Sequence, residues 1–153
     1  MTDFGDTLFL NMYRAYEELP SELKAHVDGR KALNAYLYDS TTRAVNGSKV
    51  DFTAHPHFIQ PIVRNHPNTK RKALYVNRLM TIAIEGLPEA ESDKLLNVLF
   101  AHQENPGFIY AHVWRVNDLL MWDNRCALHA RTDFSNDERR LMRRVTVLGE
   151  RPI

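Results

Sequence analysis

The side chains best suited to chemistry lie between Trp122 and Arg144, where one histidine is followed by two arginines four residues apart. His129 carries an imidazole, which binds transition metals when it is neutral. Arg140 and Arg144 each offer a planar guanidinium that binds an oxyanion through two parallel hydrogen bonds. On a strand, the two arginines share one face at a separation of roughly 13 Å. The pattern indicates two bound anions, and a solvated arginine face is the simpler alternative.

Two other histidine motifs are weaker candidates for a metal site. The H-V-D motif at residues 26–28 is the only H-x-D in the sequence, and it lies at the end of a helical pattern. Side chains two residues apart on a helix point about 200° apart, so these two do not converge on one ion. The H-P-H motif at residues 55–57 is typical of exposed loop histidines. We interpret His66, His102 and His112 as structural.

The elements that must position these residues are mostly strands around one long helix. In the second half of the chain, the pattern predicts strand structure over residues 72–84 and a helix from Pro88 that stops at the N-P-G motif 105–107. It also predicts an antiparallel hairpin over residues 108–122 and a last strand over residues 140–148. This order indicates a β-dominated α+β domain.

The first half of the chain is less regular. Two short helical patterns are separated by a Leu-Pro pair at residues 19–20, with Ser21 as the N-cap of the second and Gly29 at its end. Residues 31–38 fit a strand and a short helix equally well. Residues 39–68 are rich in Thr, Asn, Gly, Pro and His, and they predict a long irregular excursion.

Composition limits the classes of function. The chain has 153 residues, of which 44% are hydrophobic and 25% charged, which is typical of one globular domain over residues 1–153. A formal charge of +1 gives no field that would recruit nucleic acid or an anionic membrane. No apolar run approaches the roughly 20 residues of a membrane span. The only cysteine, Cys126, fits a reducing compartment, so we predict a cytoplasmic protein.

Several motifs together resemble one known family. The sequence W-D-N-R at residues 122–125, followed by His129, Arg140 and Arg144, is similar to the C-terminal part of the taurine dioxygenase/chlorophenoxyacetate dioxygenase (TauD/TfdA) family. Nearly the whole chain takes part in the resemblance. Its further matches are a G-D-T-L turn, a central strand segment, a long helix and a final T-V-L-G motif, at residues 5–8, 66–77, 87–102 and 146–149.

The resemblance implies a fold, an activity and a set of site residues. The family fold is the double-stranded β-helix, or jelly roll, and its members are Fe(II)- and 2-oxoglutarate-dependent oxygenases. Carried over by position, His129 is an iron ligand. Arg140 and the Thr7 hydroxyl hold the far carboxylate of 2-oxoglutarate. Arg144 faces the acidic group of the substrate, and Met80 lines the substrate pocket.

One part of the family pattern is missing. A facial triad needs two histidines and one carboxylate. In the family, the first histidine and the carboxylate form an H-x-D motif ahead of the G-D-T-L turn, but only four residues precede Gly5. We therefore expect an N-terminally truncated domain with a partial jelly roll. Its uncovered sheet edges predict self-association.

Two functional hypotheses follow. The first is a 2-oxoglutarate-dependent dioxygenase, which hydroxylates a small sulfonate, sulfate ester or carboxylate with molecular oxygen while 2-oxoglutarate is decarboxylated to succinate. The second is an inactive fragment that retains a half-site for 2-oxoglutarate or another anion. In a variant of the second, another chain completes the site.

Overall fold

A computed structural model of the chain describes residues 5–36, 55–135, 137 and 139–149. The strands in these residues are β1 Thr7–Asn11, β2 Lys31–Ala35, β3 His57–Pro61, β4 Val63–Asn65, β5 Lys72–Leu74, β6 Thr81–Ile84, β7 Ile109–His112 and β8 Ala127–Arg131. The α-helices are α1 Met12–Glu17, α2 Ser21–Val27 and α3 Glu89–Gln103. The β-rich composition with few helices agrees with the predicted class.

The strands form small antiparallel sheets. One sheet has the order β7-β1-β8, a second has the order β3-β2-β6, and β4 pairs with β5. In the first sheet, Thr7 lies opposite His112 on one side and opposite Arg131 on the other, while Phe9 lies opposite His129. The central position of β1 therefore brings three distant parts of the sequence together.

Local sequence explains the boundaries of the short helices. The Asn11 side chain accepts a hydrogen bond from the Arg14 backbone N–H at 3.1 Å and so caps α1. Helix α2 begins at Ser21 itself, after Pro20, so the prediction of Ser21 as the N-cap is wrong by one residue. Gly29 follows α2 with a φ of +68°, a conformation that glycine adopts without steric cost. No helix in the described residues is long and apolar enough to cross a bilayer.

The hydrophobic core lies between α1, α3 and the sheets. Helix α1 packs on β5, and α3 packs on β6 and on α1. The side chains that lose their water contact entirely or almost entirely are Met12, Val27, Ile62, Leu74, Val76, Ile84 and Leu99. Burial of such apolar surface is the main stabilising contribution to the fold.

The predicted hairpin over residues 108–122 is wrong. Strand β7 pairs with β1, and residues 118–123 carry no strand. The turn after β7 is closed instead by the Asp118 carboxylate, which accepts the Arg115 backbone N–H at 2.9 Å and contacts His112 Nε2 at 3.2 Å. Leu119 and Met121 beyond it are more than four-fifths exposed, so they have no facing strand in the described structure.

The predicted last strand over residues 140–148 is also wrong. Residues 139–149 have no regular secondary structure, and Arg140 and Arg144 therefore do not share the face of a strand. Leu141, Val145 and Val147 are each about nine-tenths exposed. Alternating apolar residues form a strand only where a neighbouring strand supplies hydrogen bonds, and none does so here among the described residues.

Other predictions are confirmed or refined. The long helix matches α3, and residues 31–38 contain the strand β2. The segment 72–84 holds two strands, β5 and β6, separated by a turn at residues 78–80. Residues 39–68 were expected to be irregular, but they contain the strands β3 and β4, so the prediction is wrong for these two segments. The rest of the excursion up to residue 54 lies outside the described residues.

Candidate active site

The first element of the site is the N-terminal end of β1. Thr7 is 7% exposed there because β7 and β8 flank it on both sides. Its hydroxyl Oγ1 accepts a hydrogen bond from the indole Nε1–H of Trp114 at 2.9 Å. Thr7 is thus a buried hydroxyl at the centre of the sheet, as a residue that orients a ligand requires.

Arg140 lies against the turn that leads into β1. A methyl group added at Gly5 would lie 3.2 Å from Cδ and Nε of Arg140 and 3.1 Å from Cδ1 of Phe134. The guanidinium carbon of Arg140 is 5.8 Å from the centre of the Phe134 ring. Since Gly5 is two residues before Thr7, the structure brings the Arg140 side chain close to the Thr7 end of β1, although Arg140 is not on a strand.

His129 lies on β8, next to β1. The residue is exposed, but its ring packs on Trp122 at 5.0 Å and on Phe9 at 6.2 Å between ring centres. Partial burial of the ring lowers the pKa of His129, and the positive charge of Arg144 lowers this pKa further. The imidazole is therefore neutral near pH 7, the form that binds a metal. The same interaction places Arg144 within electrostatic range of His129.

The turn before β8 holds Trp122 in its position beside His129. The Asp123 carboxylate accepts hydrogen bonds from Arg125 Nε and from Arg125 NH2, the latter at 2.7 Å, and it contacts His66 Nε2 at 3.0 Å. The hydrogen bonds from Arg125 have the largest effect on the pKa of Asp123, and the hydrogen bond from His66 adds to it. Together they hold this pKa well below its usual range. The side chain of Asp123 is therefore a fixed anion in this turn.

Among the described residues, the one group of three side chains able to share a metal ion is His66, Asp123 and Cys126, with ligand atoms within 4.8 Å of one another. Hydrogen bonding argues against a metal there. His66 Nδ1 accepts the backbone N–H groups of Asn68 and Thr69, so Nε2 carries the ring proton and donates it to Asp123. Burial raises the pKa of the Cys126 thiol, which also disfavours a thiolate ligand or nucleophile. The group is structural.

The fit of the site to iron is incomplete. His129 offers one neutral imidazole, and no trio of ligand atoms that includes it exists in the part of the chain that the structure describes. A facial triad requires two more protein ligands. The described residues therefore supply one neutral imidazole and two arginines, and they do not form an iron site by themselves.

The other sequence candidates lie elsewhere. Met80 lies in the turn before β6, where its carbonyl accepts the Ala35 backbone N–H at 2.8 Å, so its place in a substrate pocket stays a prediction. His26 is exposed on α2 with Nδ1 3.0 Å from the Glu22 carbonyl oxygen, as expected for a helix end. His55 and His57 are exposed, and His57 begins β3.

Two aromatic residues of this region have no signal in the sequence. Trp114 donates a hydrogen bond to the Thr7 hydroxyl. Phe9 packs on both Trp122 and His129, with ring centres 5.2 Å and 6.2 Å apart. Both contacts depend on strand pairing across large distances in sequence, and no local spacing signals them.

Comparison with known proteins connects this geometry to a family. The sequence pattern described as "Taurine catabolism dioxygenase TauD, TfdA family" matches residues 5–146, which include Thr7, His129, Arg140 and Arg144. The chain belongs to this family. Members of the TauD/TfdA family are Fe(II)/2-oxoglutarate-dependent dioxygenases, which are oxidoreductases.

Characterised relatives share substantial sequence identity with this family member. An alpha-ketoglutarate-dependent 2,4-dichlorophenoxyacetate dioxygenase of Burkholderia sp. (strain RASC) is 38% identical over 151 residues, which cover 96% of this chain and 50% of the relative. An (S)-phenoxypropionate/alpha-ketoglutarate-dioxygenase of Sphingobium herbicidovorans is 35% identical over 153 residues, which cover 95% of this chain and 53% of the relative. The chain thus spans about half the length of these relatives.

Solved structures agree with the assignment. A crystal structure of AAD-2 in complex with Mn(II) and N-oxalylglycine superposes with a TM-score of 0.77 at 30% identity, covering 91% of this chain and 55% of that one. A putative alpha-ketoglutarate dependent 2,4-D dioxygenase from Burkholderia xenovorans gives a TM-score of 0.72 at 32% identity, covering 86% of this chain and 52% of that one. The β-rich fold is therefore that of TauD-like dioxygenases.

Proposed function

We propose that this chain carries the co-substrate site of a 2-oxoglutarate-dependent dioxygenase, with Arg140 and Thr7 as the residues that bind the far carboxylate of 2-oxoglutarate. The observation that carries the proposal is the position of the Arg140 side chain, which lies 3.2 Å from the methyl position of Gly5, two residues before the buried Thr7. A guanidinium fork and a hydroxyl together match one carboxylate.

The roles of the protein groups follow from their chemistry. Arg140 would neutralise the carboxylate and donate two parallel hydrogen bonds, and Thr7 would donate a third. The rings of Phe134 and Trp114, which contact Arg140 and Thr7 respectively, limit access of water to this contact. His129 is the proposed metal ligand. Fe(II), when bound, would supply the oxygen activation that couples decarboxylation of 2-oxoglutarate to oxidation of the substrate.

The proposed substrate is a small organic anion. Arg144, which lies within electrostatic range of His129, would face its acidic group, and Met80 would adapt the apolar part of the pocket. Relatives are named for phenoxy carboxylates and, in Schizosaccharomyces pombe, for a sulfonate. The first substrates to test are therefore a carboxylate, a sulfonate and a sulfate ester that share one carbon skeleton.

We infer that the remaining partners are small molecules. Molecular oxygen and 2-oxoglutarate accompany the substrate, and a formal charge of +1 offers no general surface for nucleic acid or for an anionic membrane. Cys126 is a free thiol, which fits the reducing cytoplasm that we propose as its location.

A second function deserves testing because the described residues give His129 no pair of companion ligands. In this alternative, the chain binds 2-oxoglutarate or a similar anion without oxygenase activity, or becomes active only when another chain completes the site. Succinate release by the purified chain with Fe(II), 2-oxoglutarate, substrate and air supports autonomous catalysis. Absence of succinate from a chain that is folded and binds 2-oxoglutarate supports the alternative.

The test of the co-substrate site is the variant Arg140→Ala. Loss of a charge-assisted pair of hydrogen bonds should weaken 2-oxoglutarate binding by at least about 10-fold, measured by isothermal titration calorimetry. Arg144→Ala is the matched control, since it removes a guanidinium four residues away and should leave this affinity within about threefold. Equal affinities of Arg140→Ala and the unaltered chain would remove Arg140 from the proposed site.

A further inference from the structure

We propose that Trp114 is a positioning residue for 2-oxoglutarate, which acts through the Thr7 hydroxyl without contacting the co-substrate itself. The inference rests on the proposed function, because it concerns the same carboxylate site. It starts from the 2.9 Å hydrogen bond between Trp114 Nε1 and Thr7 Oγ1, two residues separated by 107 positions in the sequence.

The direction of this hydrogen bond is fixed by chemistry. An indole N–H is a donor only, so Thr7 Oγ1 must be the acceptor. A threonine hydroxyl has one hydrogen and two lone pairs, and Trp114 occupies one of the lone pairs. The hydroxyl hydrogen is therefore directed away from the indole and is available to donate to an oxyanion. Without the indole, the hydroxyl could rotate to donate elsewhere.

The position of Trp114 is itself determined by a small network. The Trp114 ring meets the His112 ring edge to face, with centres 4.7 Å apart and planes at 86°. His112 Nε2 lies 3.2 Å from Asp118 Oδ2, which also accepts the Arg115 backbone N–H. His112 faces Thr7 across the β1–β7 pair. The turn after β7 thus directs the indole N–H back toward β1.

The arrangement prepares the site for a negative charge. Arg140 lies against Gly5, two residues before Thr7, and the hydrogen bond from Trp114 leaves the Thr7 hydroxyl hydrogen available to donate. A hydroxyl that already accepts a hydrogen bond is polarised and donates a stronger one. A donor held in its productive orientation also loses less freedom when the ligand binds. Both effects favour a carboxylate over a neutral group.

The experiment measures 2-oxoglutarate affinity by isothermal titration calorimetry in a double-mutant cycle. Trp114→Phe keeps an aromatic ring and removes the donor, and we expect the affinity to fall by about three- to tenfold. Thr7→Val should lose at least as much, and Thr7→Ser should keep the affinity within about twofold. In the Thr7→Val background, Trp114→Phe should change the affinity by less than about twofold, because its effect passes through the missing hydroxyl.

Tyr13→Phe is the matched control. It removes another aromatic hydrogen bond to a threonine, since Tyr13 Oη lies 2.9 Å from Thr69 Oγ1 outside this site. The control should lower thermal stability about as much as Trp114→Phe and leave 2-oxoglutarate affinity unchanged. The role of Trp114 would be overturned, with the proposed function left intact, by either of two results. One is unchanged affinity in Trp114→Phe, and the other is an equal loss from Trp114→Phe in the Thr7 and the Thr7→Val backgrounds. No binding by the unaltered chain would overturn the proposed function as well.

Discussion

Gly5 affects the candidate site in two ways. Its φ of +69° lies in the left-handed region, where a side chain is strained, and its missing Cβ leaves room for Arg140 and Phe134. The backbone N–H of Gly5 also lies 3.3 Å from the Asp133 carbonyl oxygen. The G-D-T-L motif therefore needs glycine both for the turn and for the approach of the arginine.

Gly5→Ala should accordingly cost both stability and affinity. The alanine side chain is strained in a left-handed conformation, so we expect the free energy of unfolding to fall by about 1–2 kcal/mol, measured by urea denaturation. Its methyl group should also displace Arg140 and thereby weaken 2-oxoglutarate binding. Gly29→Ala is the control, because Gly29 has a φ of +68° and nothing within 4 Å of its methyl position. Its stability cost should be similar, with no change in affinity. Equal affinities in both variants would show that the space at Gly5 is unimportant.

At the scale of elements, a single histidine connects two parts of the fold. His66 follows β4 and is 4% exposed, and its ring bonds to Asp123 in the turn that leads into β8. Asp123 also organises this turn through its carbonyl oxygen, which accepts the backbone N–H groups of Cys126 and Ala127. The β4–β5 pair thereby supports the turn that carries Trp122 to its place beside His129, the proposed metal ligand.

The Asp123 network predicts a pH dependence. Because the folded-state pKa of Asp123 is depressed, its stabilising contribution is present above the unfolded value near 3.9 and is lost as pH falls below that value. Asp123→Asn should be less stable than the unaltered chain at pH 6, and the difference should shrink progressively as the pH falls below about 4. Thermal unfolding across this range measures it. Asp28→Asn, at an exposed ion pair with Lys72, is the control and should show little change.

The strands were harder to predict than the helices for a physical reason. Helix α3 could be predicted because its hydrogen bonds and its apolar spacing are local, and the N-P-G motif stops it. Residues 140–148 have the alternating apolar pattern of a strand, but no strand pairs with them in the described structure. The sequence did not predict β8, which forms because β1 pairs with it. His129, Arg140 and Arg144 could be proposed as site residues from their spacing in the motif, but Trp114 could not, since only the β1–β7 pairing reveals its contact.

At the scale of the whole molecule, sheet edges and apolar side chains are open to water among the described residues. Strands β7 and β8 are the edges of one sheet, and β3 and β6 are the edges of a second. Phe58 and Ile59 on β3 and Tyr110 on β7 are each more than half exposed. The chain spans about half the length of its curated relatives. Open edges of this kind pair readily with other strands.

We therefore expect self-association of the chain in solution. Size-exclusion chromatography with light scattering should show a concentration-dependent mass above 17.8 kDa. Ile59→Lys, which puts a charge on an edge strand, should shift the distribution toward the monomer. Val98→Lys, on the exposed face of α3, is the control and should leave the distribution unchanged. A sharp monomer peak at all concentrations would contradict the expectation.

The most direct test of the central claim is an NMR titration of the chain with 2-oxoglutarate, which reports on each proposed contact separately. The account predicts saturable shifts of the Arg140 Nε–H, the Thr7 backbone N–H and the Trp114 indole N–H, with the Tyr13 backbone N–H unchanged. Glutarate, which lacks the 2-oxo group but has both carboxylates at the same spacing, should shift the same signals more weakly. Shifts confined to other residues, or no saturable shift at all, would contradict a 2-oxoglutarate site at Thr7 and Arg140.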